Sequence, residues 1–548
     1  MRNWKLVVVV LLAFLLRFVN LASYPAGFSA DEVNQGYTAY SILKTGKDEW
    51  GEPFPVAPRS YGDYRAPLYT YLTVPSVGIF GLNEFATRLP AVIFGTLSVA
   101  VVYFLVRELF KEKGEKLAVI ASSLLAISPW HVALSRGAFE PNLPTLIIPL
   151  GVLFFLKGRK QKNYMLAAAL SLGLGLFSYY SFRLLFPGIL FLLYICFRSN
   201  ILRYKLPLVV LGLFTAIAIY TMFVGASSRL LDVSIAGESS WHAVSEARYN
   251  AVLMGLPDLL ARVFNNKLTY LASLFTKNYL SYFSPQFLFT SGAGEATYGM
   301  APGMGLMYPL ELLFIAAALV HTIVGKLYKK TSIKLTFAML IIAPIPAALA
   351  TGPGMAANRA AVMLPWLTII SAIGIYAILK TFSKKYIAVS VLLYFIVSLV
   401  FFLESYYYHS PRDNARSMSY GWRQASEYIR NVYDSYDKIV VSGNFSEPQM
   451  FAAFFMEINP GVVQAQSLDW LRYESQGLKF VDQLGEYKLD KFVFKGIDKS
   501  VDTKTPNTLI MGRPEDFIGV TPDHVINYPD GEAAIYFVSS REVYAKEI

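Results

Sequence analysis

Two adjacent carboxylates, Asp31 and Glu32, lie just past the first hydrophobic stretch of the chain. An unpaired charge is costly in hydrocarbon, so such a pair at a membrane boundary is expected to face water or a substrate cavity. Burial raises the pKa of a carboxylate, and nearby cations lower it. The balance of the two sets the pKa of a carboxylate that acts as general base for a hydroxyl or amine nucleophile. The two side chains point to different sides of the backbone, so one can act while the other is held by hydrogen bonds. The alternative is structural: solvated carboxylates in the first turn of a helix that Ser29 caps and that runs through residues 33–43.

A cation and an anion stand close together in the segment Ser135-Arg136-Gly137-Ala138-Phe139-Glu140-Pro141-Asn142. Charges at the mouth of a hydrophobic helix usually need partners, which favours a functional role for Arg136 and Glu140. Helix capping is the equally open alternative, with Glu140 at an amino-terminal end and Pro141 in the first turn.

Three further arginines, Arg65, Arg183 and Arg359, lie near the ends of apolar runs. A guanidinium group offers a planar fork of donors that suits phosphate oxygens, so several of them converging would form a site for a phosphorylated lipid. Contact with lipid headgroups or a structural ion pair is the alternative for each.

The composition is that of a polytopic membrane protein. The 548 residues are 55% hydrophobic and only 16% charged, with a mean hydropathy of +0.42. The net charge of +11 comes mostly from short basic loops between apolar runs, so membrane topology explains it and a nucleic-acid partner is not expected. The only cysteine is Cys196, which excludes an intrachain disulfide.

Several cofactor classes lack a matching motif. The chain has no Walker A sequence and no G-x-G-x-x-G before a helix, so no nucleotide is expected. Its five histidines are scattered without the spacing of metal ligands, so neither a metal nor another cofactor is predicted.

Apolar runs of spanning length predict eleven transmembrane helices. We place them near residues 6–22, 85–110, 116–131, 143–157, 163–180, 184–197, 206–224, 305–325, 334–350, 361–380 and 386–404. The first is expected to be a retained span and not a cleaved signal peptide, because it contains Arg17 and lacks an A-x-A-like cleavage site. The run 66–82 is broken by prolines and a glycine and predicts a helix in the membrane interface.

The positive-inside rule selects this count over twelve spans. With eleven spans and the amino terminus inside, every interior loop is basic; these loops are 111–116, 157–162, 198–205, 326–334 and 380–385. Counting 66–82 as a span would place all of them outside. The exterior arginines then lie on the side of the membrane where cations should be scarce. The presence of each one therefore needs an explanation.

Two domains are predicted. Residues 1–404 form the transmembrane domain, with a first exterior loop at 23–84 and a long exterior loop at 225–304. Residues 405–548 lose the long apolar runs and predict a small extracytoplasmic soluble α/β domain. Its expected elements are a helix near 422–432, strands at 438–442 and 491–494, and a hairpin of 525–528 with 533–538 around Pro529-Asp530-Gly531.

Taken together, these residues resemble the bacterial and archaeal relatives of protein O-mannosyltransferases. These family-39-like membrane glycosyltransferases have the GT-C fold and include the aminoarabinose transferase of lipid A. The points of similarity are Arg17, Pro25 with Asp31-Glu32, residues 39–46, Arg65-Ala66-Pro67-Leu68-Tyr69, Phe80-Gly81 with Glu84-Phe85-Ala86-Thr87-Arg88-Leu89-Pro90, Ser135-Arg136 with Glu140, Tyr282-Phe283-Ser284-Pro285 before Gly305 and Glu311, and residues 344–348 before Asn358-Arg359 and Pro365.

The resemblance implies an enzyme that moves a sugar, with inversion, from a polyprenyl-phosphate donor to a lipid, glycan or protein acceptor outside the plasma membrane. It implies Asp31 as the catalytic base, Glu32 as the residue that supports it or orients the acceptor, and Glu140 as a second acidic residue. Arg65, in a motif that includes Tyr69, would contact the donor, although Ala66 replaces a proline found in relatives. The resemblance makes Arg136, Arg183 and Arg359 further candidates for the donor phosphate.

Two alternatives stay open. One is an oligosaccharyltransferase-like or polysaccharide-modifying enzyme; the members that use a metal carry motifs such as D-x-D, which is absent around Asp31. The other is a lipid or oligosaccharide transporter, for which paired half-sequences would be expected.

Overall fold

The computed structural model describes residues 4–111, 114–197, 204–223, 234–293, 298–351 and 354–540, and most of them are helical. The helices of the membrane region are α1 (Trp4–Phe18), α2 (Ala30–Thr45), α3 (Pro67–Phe80), α4 (Glu84–Phe110), α5 (Gly114–Ile127), α6 (Pro129–Leu134), α7 (Asn142–Gly158), α8 (Asn163–Gly175), α9 (Tyr180–Phe197), α10 (Lys205–Thr221), α11 (Glu238–Leu253), α12 (Asp258–Phe264), α13 (Lys267–Ser281), α14 (Glu311–Val324), α15 (Thr331–Ile342), α16 (Leu364–Phe382), α17 (Lys385–Glu404) and α18 (Ser410–Asn414).

The helices follow the predicted apolar runs, with breaks at prolines. The run 116–131 is divided into α5 and α6 at Pro129, and the run 334–350 is divided into α15 and the turn Ile345–Ala348 after Pro344. Proline lacks the N–H that continues a helix and its ring clashes with the preceding turn. The helix expected in 66–82 is α3, which begins at Pro67, where the missing N–H costs nothing.

The chain is a membrane protein. Within the described ranges, five helical segments are long and apolar enough to cross a membrane: Glu84–Phe110, Tyr180–Phe197, Thr331–Ala348, Ala357–Phe382 and Lys385–Asn414. Four shorter apolar helices accompany them, namely α7, α8, α10 and α14. The count of eleven spans therefore stays a prediction. Of the predicted loops, residues 112–113, 198–203, 225–233, 294–297 and 352–353 lie outside the described residues.

The C-terminal region holds a six-stranded sheet. Its helices are α19 (Trp422–Val432), α20 (Pro448–Phe455) and α21 (Pro460–Trp470), and its strands are β1 (Lys438–Ser442), β2 (Glu486–Leu489), β3 (Phe492–Lys495), β4 (Thr508–Gly512), β5 (His524–Asn527) and β6 (Ala533–Ser539). The strand order is β2-β3-β1-β4-β6-β5, with β1 parallel to β3 and β4. The predicted helix, strands and hairpin are confirmed, and Gly531 takes the positive φ of 90° that the turn requires.

The C-terminal region and the first loop share one hydrophobic core. Phe28, Val33 and Tyr37 pack in a single buried cluster with side chains of α19, α20 and the sheet. The backbones approach closely at Gly62, where an added Cβ would lie 2.7 Å from the carbonyl oxygen of Lys479. This packing places one end of the C-terminal region directly on α2.

Candidate active site

Asp31 stands in the first turn of α2. Ser29 is the N-cap, as predicted: its hydroxyl accepts the Glu32 N–H at 3.4 Å, and the Glu32 carboxylate accepts the Ser29 N–H at 3.1 Å. This capping box satisfies two N–H groups that the helix leaves free and fixes where the helix begins. The Asp31 side chain is consequently held at the exposed edge of the first turn.

Glu32 is fully buried and its oxygens are occupied. They accept the Arg88 Nε at 2.7 Å, the Arg88 Nη2 at 3.1 Å and the backbone N–H of Ala138 at 3.0 Å. Glu32 therefore joins α2 to α4 and to the loop that carries Glu140. Glu32 is 0% exposed and presents no open face toward a substrate.

Arg88, to which the sequence reasoning assigned no role, completes this anchor. Its remaining N–H groups donate to the carbonyl oxygens of Leu21 at 3.2 Å, Pro25 at 3.1 Å and Gly27 at 2.7 Å. A buried guanidinium with every branch bonded holds the segment before α2 in place.

One face of α2 carries two amide side chains that hold acidic residues from distant parts of the chain. Asn34 and Gln35 follow Asp31 by three and four positions, so they lie on its side of the helix. The Gln35 Nε2 donates to the Glu140 Oε1 at 2.6 Å, and the Asn34 Nδ2 donates to the Glu447 Oε2 at 2.5 Å. Glu140 thus lies beside α2 and does not cap α7, whose N-cap is Pro141.

Asp31 contacts a residue that lines a cavity. The Tyr298 hydroxyl donates to the Asp31 Oδ2 at 3.4 Å, and Tyr298 lines a cavity of about 250 Å³. Tyr180, Asn358 and Arg359 line the same space. Tyr298 therefore connects the predicted base to a cavity that one predicted phosphate ligand, Arg359, lines.

The four predicted arginines have three kinds of surroundings, and two of them lie at or next to the cavity. Arg359 lines the cavity while its Nη1 donates to the carbonyl oxygen of Thr351 at 2.5 Å. Arg183 lies 4.7 Å from the ring of Tyr180, which borders the cavity, and its Nε donates to the carbonyl oxygen of Leu176 at 2.9 Å. Arg359 therefore lines the cavity, whereas Arg183 contacts it only through Tyr180.

Arg136 and Tyr69 have structural surroundings. Arg136 is fully buried and donates to backbone carbonyl oxygens in the last turn of α1 and just after it, including Leu16 at 3.0 Å and Val19 at 2.8 Å. Such contacts satisfy the free carbonyl groups of a helix end. Tyr69 is also fully buried, and its hydroxyl donates to the carbonyl oxygen of Thr87 at 3.0 Å.

Arg65 lies in a buried acidic cluster beneath α2. Its Nη2 donates to Thr38 Oγ1 at 3.0 Å and lies 3.4 Å from Glu49 Oε1, while its Nε and Nη1 have no hydrogen-bond partner among the described residues. Burial raises the pKa of the Glu49 carboxyl, and the charge of the neighbouring Asp48 adds to this rise, because the single cation does not offset both effects. The sequence reasoning missed Asp48 and Glu49.

Other functional candidates that were missed are Asn34, Gln35, Tyr298 and Glu447. The helical spacing of the two amides from Asp31 was a readable signal. Tyr298 and Glu447 lie far along the chain, and nothing local marks them. Among the described residues, no three His, Cys, Asp or Glu side chains are grouped so that they could hold a metal ion.

Comparison with known proteins agrees with this architecture. Residues 64–224 match the model of the family described as dolichyl-phosphate-mannose-protein mannosyltransferase. The crystal structure of ArnT from Cupriavidus metallidurans in the apo state superimposes with a TM-score of 0.55 over 98% of each chain, at 12% identity. The same protein bound to undecaprenyl phosphate gives a TM-score of 0.54 at 13% identity, also over 98% of each chain. The predicted GT-C resemblance is confirmed.

A third solved structure is more distant. The oligosaccharyltransferase of Archaeoglobus fulgidus, in complex with zinc and sulfate, gives a TM-score of 0.47 at 15% identity over 83% of this chain. The present chain spans only 61% of its length. No curated protein matches the sequence. The matched family segment contains Arg65, Arg136, Glu140 and Arg183, whereas Asp31 lies upstream of it.

Proposed function

We propose that this protein is a membrane glycosyltransferase that moves a sugar from a polyprenyl-phosphate donor to a lipid, glycan or protein acceptor on the extracytoplasmic face. The observation that carries the proposal is the contrast within the carboxylate pair. Glu32 is buried and fully bonded, whereas Asp31 is exposed at the start of α2 and accepts a hydrogen bond from Tyr298, which lines the cavity. The matched mannosyltransferase segment and the ArnT-like fold support the class of reaction.

Asp31 acts as the general base in this scheme. It takes the proton of the acceptor hydroxyl or amine while the acceptor atom attacks the anomeric carbon of the sugar. The bond from that carbon to the phosphate oxygen breaks, and the electron pair stays on the phosphate. Attack from the face opposite the leaving group inverts the anomeric centre.

The cations balance the charge that grows on the leaving phosphate. Arg359, which lines the cavity, is the best-placed candidate, because fixed guanidinium donors stabilise such charge most strongly away from water. Arg183, which lies next to the cavity residue Tyr180, is the second. Arg65 has two unbonded N–H groups and is the third candidate. Arg136 and Tyr69 hold the scaffold, and Glu140 borders the site through Gln35.

The orientation of the proposed enzyme in the membrane is inferred from the positions of the basic loops. We infer eleven spans, an extracytoplasmic site and two domains, at 1–404 and 405–548, with the second outside. A donor whose polyprenyl tail is anchored in the bilayer then needs no nucleotide site.

The replacement Asp31→Asn tests the assignment of the base. It should lower sugar transfer at least about 100-fold, the usual contribution of a general base, and leave donor binding intact because the amide keeps the shape of the carboxylate. The measurement is transfer of labelled mannose from polyprenyl-phosphate mannose to endogenous acceptors in membrane vesicles that contain the chain. Full activity of the variant would refute the assignment.

A matched control is Glu427→Gln, which removes an exposed carboxylate from α19. It should leave transfer unchanged. Donor binding is measured in both variants by retention of the labelled lipid on purified protein.

A further inference from the structure

Glu447 brings a carboxyl group of the C-terminal region to the helix that carries Asp31. It directly precedes α20, with a backbone φ of 49° that side chains other than glycine seldom adopt. Its Oε2 accepts the Asn34 Nδ2 at 2.5 Å, and its own N–H donates to Asp482 Oδ2 at 3.3 Å. Because Asn34 lies one turn after Asp31, Glu447 stands beside the proposed base.

The residues around Glu447 keep buried polar atoms that no group of the described residues satisfies. They are the Oδ1 of Asn34, the Nε and Nη1 of Arg65 and the hydroxyl of Tyr61, all in residues that are at most 3% exposed. Buried donors and acceptors are nearly always hydrogen-bonded in folded proteins. A mixed set of free donors and one free acceptor fits a ligand that can both give and accept hydrogen bonds.

The charge state of Glu447 suits the same kind of ligand. Burial raises the pKa of its carboxyl to about 7; the Asn34 hydrogen bond opposes the rise, and Asp31 adds to it. Arg65 and Asp63 also act on this group, in opposite directions. Near neutral pH the carboxyl is therefore present in both forms, so it donates or accepts, as a hydroxyl partner requires.

We propose that Glu447 is an acceptor-binding residue which, with Asn34, holds a hydroxyl group of a glycan acceptor next to the hydroxyl that Asp31 deprotonates. This inference rests on the proposed function. The attacking hydroxyl gives its proton to Asp31, whereas the hydroxyl on Glu447 only exchanges hydrogen bonds and undergoes no covalent change. The C-terminal region is then part of the acceptor site.

The test compares Glu447→Gln with the unaltered chain in proteoliposomes that contain labelled polyprenyl-phosphate mannose. The acceptor is the glycan fraction released from envelopes of cells that lack the gene, with the peptide and lipid fractions of the same envelopes as rivals. The variant should raise KM for the glycan fraction about tenfold, as the loss of one strong hydrogen bond does, and leave KM for the donor unchanged. The ionisation near pH 7 in the acceptor KM profile should disappear.

An unchanged acceptor KM in Glu447→Gln, a raised donor KM, or transfer to the peptide or lipid fraction alone would overturn the inference. Glu427→Gln is the matched carboxylate control from the same region. If Glu447→Gln does not fold, Glu447→Asp keeps the acid but draws it back from Asn34, and an unchanged acceptor KM there has the same meaning.

The two proposals fail in distinguishable ways. If Asp31→Asn is inactive while Glu447→Gln behaves as the unaltered chain, only the acceptor site is wrong. If Asp31→Asn is fully active, or no fraction accepts the sugar, the proposed function itself fails.

Discussion

Asp31 and Glu32 are chemically similar neighbours with opposite surroundings. Consecutive helix residues point about 100° apart, so Glu32 turns into the anchor with Arg88 while Asp31 faces outward. Removing one partner of such a buried pair leaves an uncompensated charge, which usually costs about 3–5 kcal/mol. This contrast supports the proposal that Glu32 is structural and that Asp31 is the base.

Ionisation of Glu49 should make the stability of the folded chain depend on pH. Burial and the charge of Asp48 raise the pKa of its carboxyl in the folded chain above the usual 4.5. A carboxyl with a raised folded pKa contributes its stability fully below 4.5 and loses it as pH rises through the folded value. Because the folded pKa of Glu49 is about 8, Glu49→Gln, which cannot ionise, should lose less stability than the unaltered chain as pH rises from about 5 to about 8. The difference should grow by at most about 1.4 kcal/mol for each pH unit.

Thermal unfolding of the purified chain across that pH range measures the difference. Glu427→Gln, which removes an exposed carboxylate, should have the same dependence of stability on pH as the unaltered chain. Equal slopes for Glu49→Gln and the unaltered chain would contradict the prediction.

The sequence predicted the part of this site that is formed by residues close together in the chain. It did not predict the part that distant residues contribute. The Ser29 cap and the start of α2 depend on neighbours in sequence, so they could be read from residues 29–32. Tyr298 and Glu447 meet α2 across 267 and 413 residues of chain. Nothing in their own neighbourhoods distinguishes them from other surface tyrosines and glutamates, because only the folded packing selects them.

At the scale of elements, α2 is the helix that carries Asp31, Asn34 and Gln35 of the candidate site. It packs against α3, α4 and α20, and ten of its residues are buried. Its apolar content is low, so hydropathy alone did not mark its full length. The spanning helices were predicted more easily, since lipid demands long apolar runs whatever their packing partners.

Gly36 lets α2 approach α4 and α20 together. A Cβ there would lie 2.5 Å from Thr87 Oγ1 and 2.5 Å from Phe454 Cε2. Gly36→Ala should therefore destabilise the chain by about 1–3 kcal/mol through overpacking and loosen the C-terminal region from the first loop. The measurements are the melting temperature and the rate of limited proteolysis after residue 421.

The matched control is Gly78→Ala in the adjacent α3, where the nearest atoms to an added Cβ are 3.6 Å away, on Leu43. This change should be neutral or slightly stabilising, because alanine favours the helix. Equal effects of the two substitutions would show that packing at Gly36 is not the cause.

At the scale of the whole molecule, the first loop and the C-terminal region act as one body. Tyr37 donates to the carbonyl oxygen of Ile458 at 2.7 Å, Ser467 donates to that of Glu49 at 2.9 Å, and Arg423 pairs with Glu84 at 2.5 Å. Both must therefore lie on the same side of the membrane. Packing leaves open which side that is, whereas the distribution of lysine and arginine among the loops does predict it.

Cysteine labelling should show that side directly. In a Cys196→Ser background, single cysteines at positions 31, 140 and 420 should react with a membrane-impermeant maleimide added to intact cells. A cysteine replacing the exposed Lys329, in a loop predicted to lie inside, should react only after the cells are permeabilised. The expected pattern follows from the parity of the spans: one additional crossing at 66–82 would reverse the side of every later loop. Failure at 140 and 420 with success at 329 would overturn the count of eleven. Because the C-terminal region packs on the first loop, position 31 should then fail to react as well.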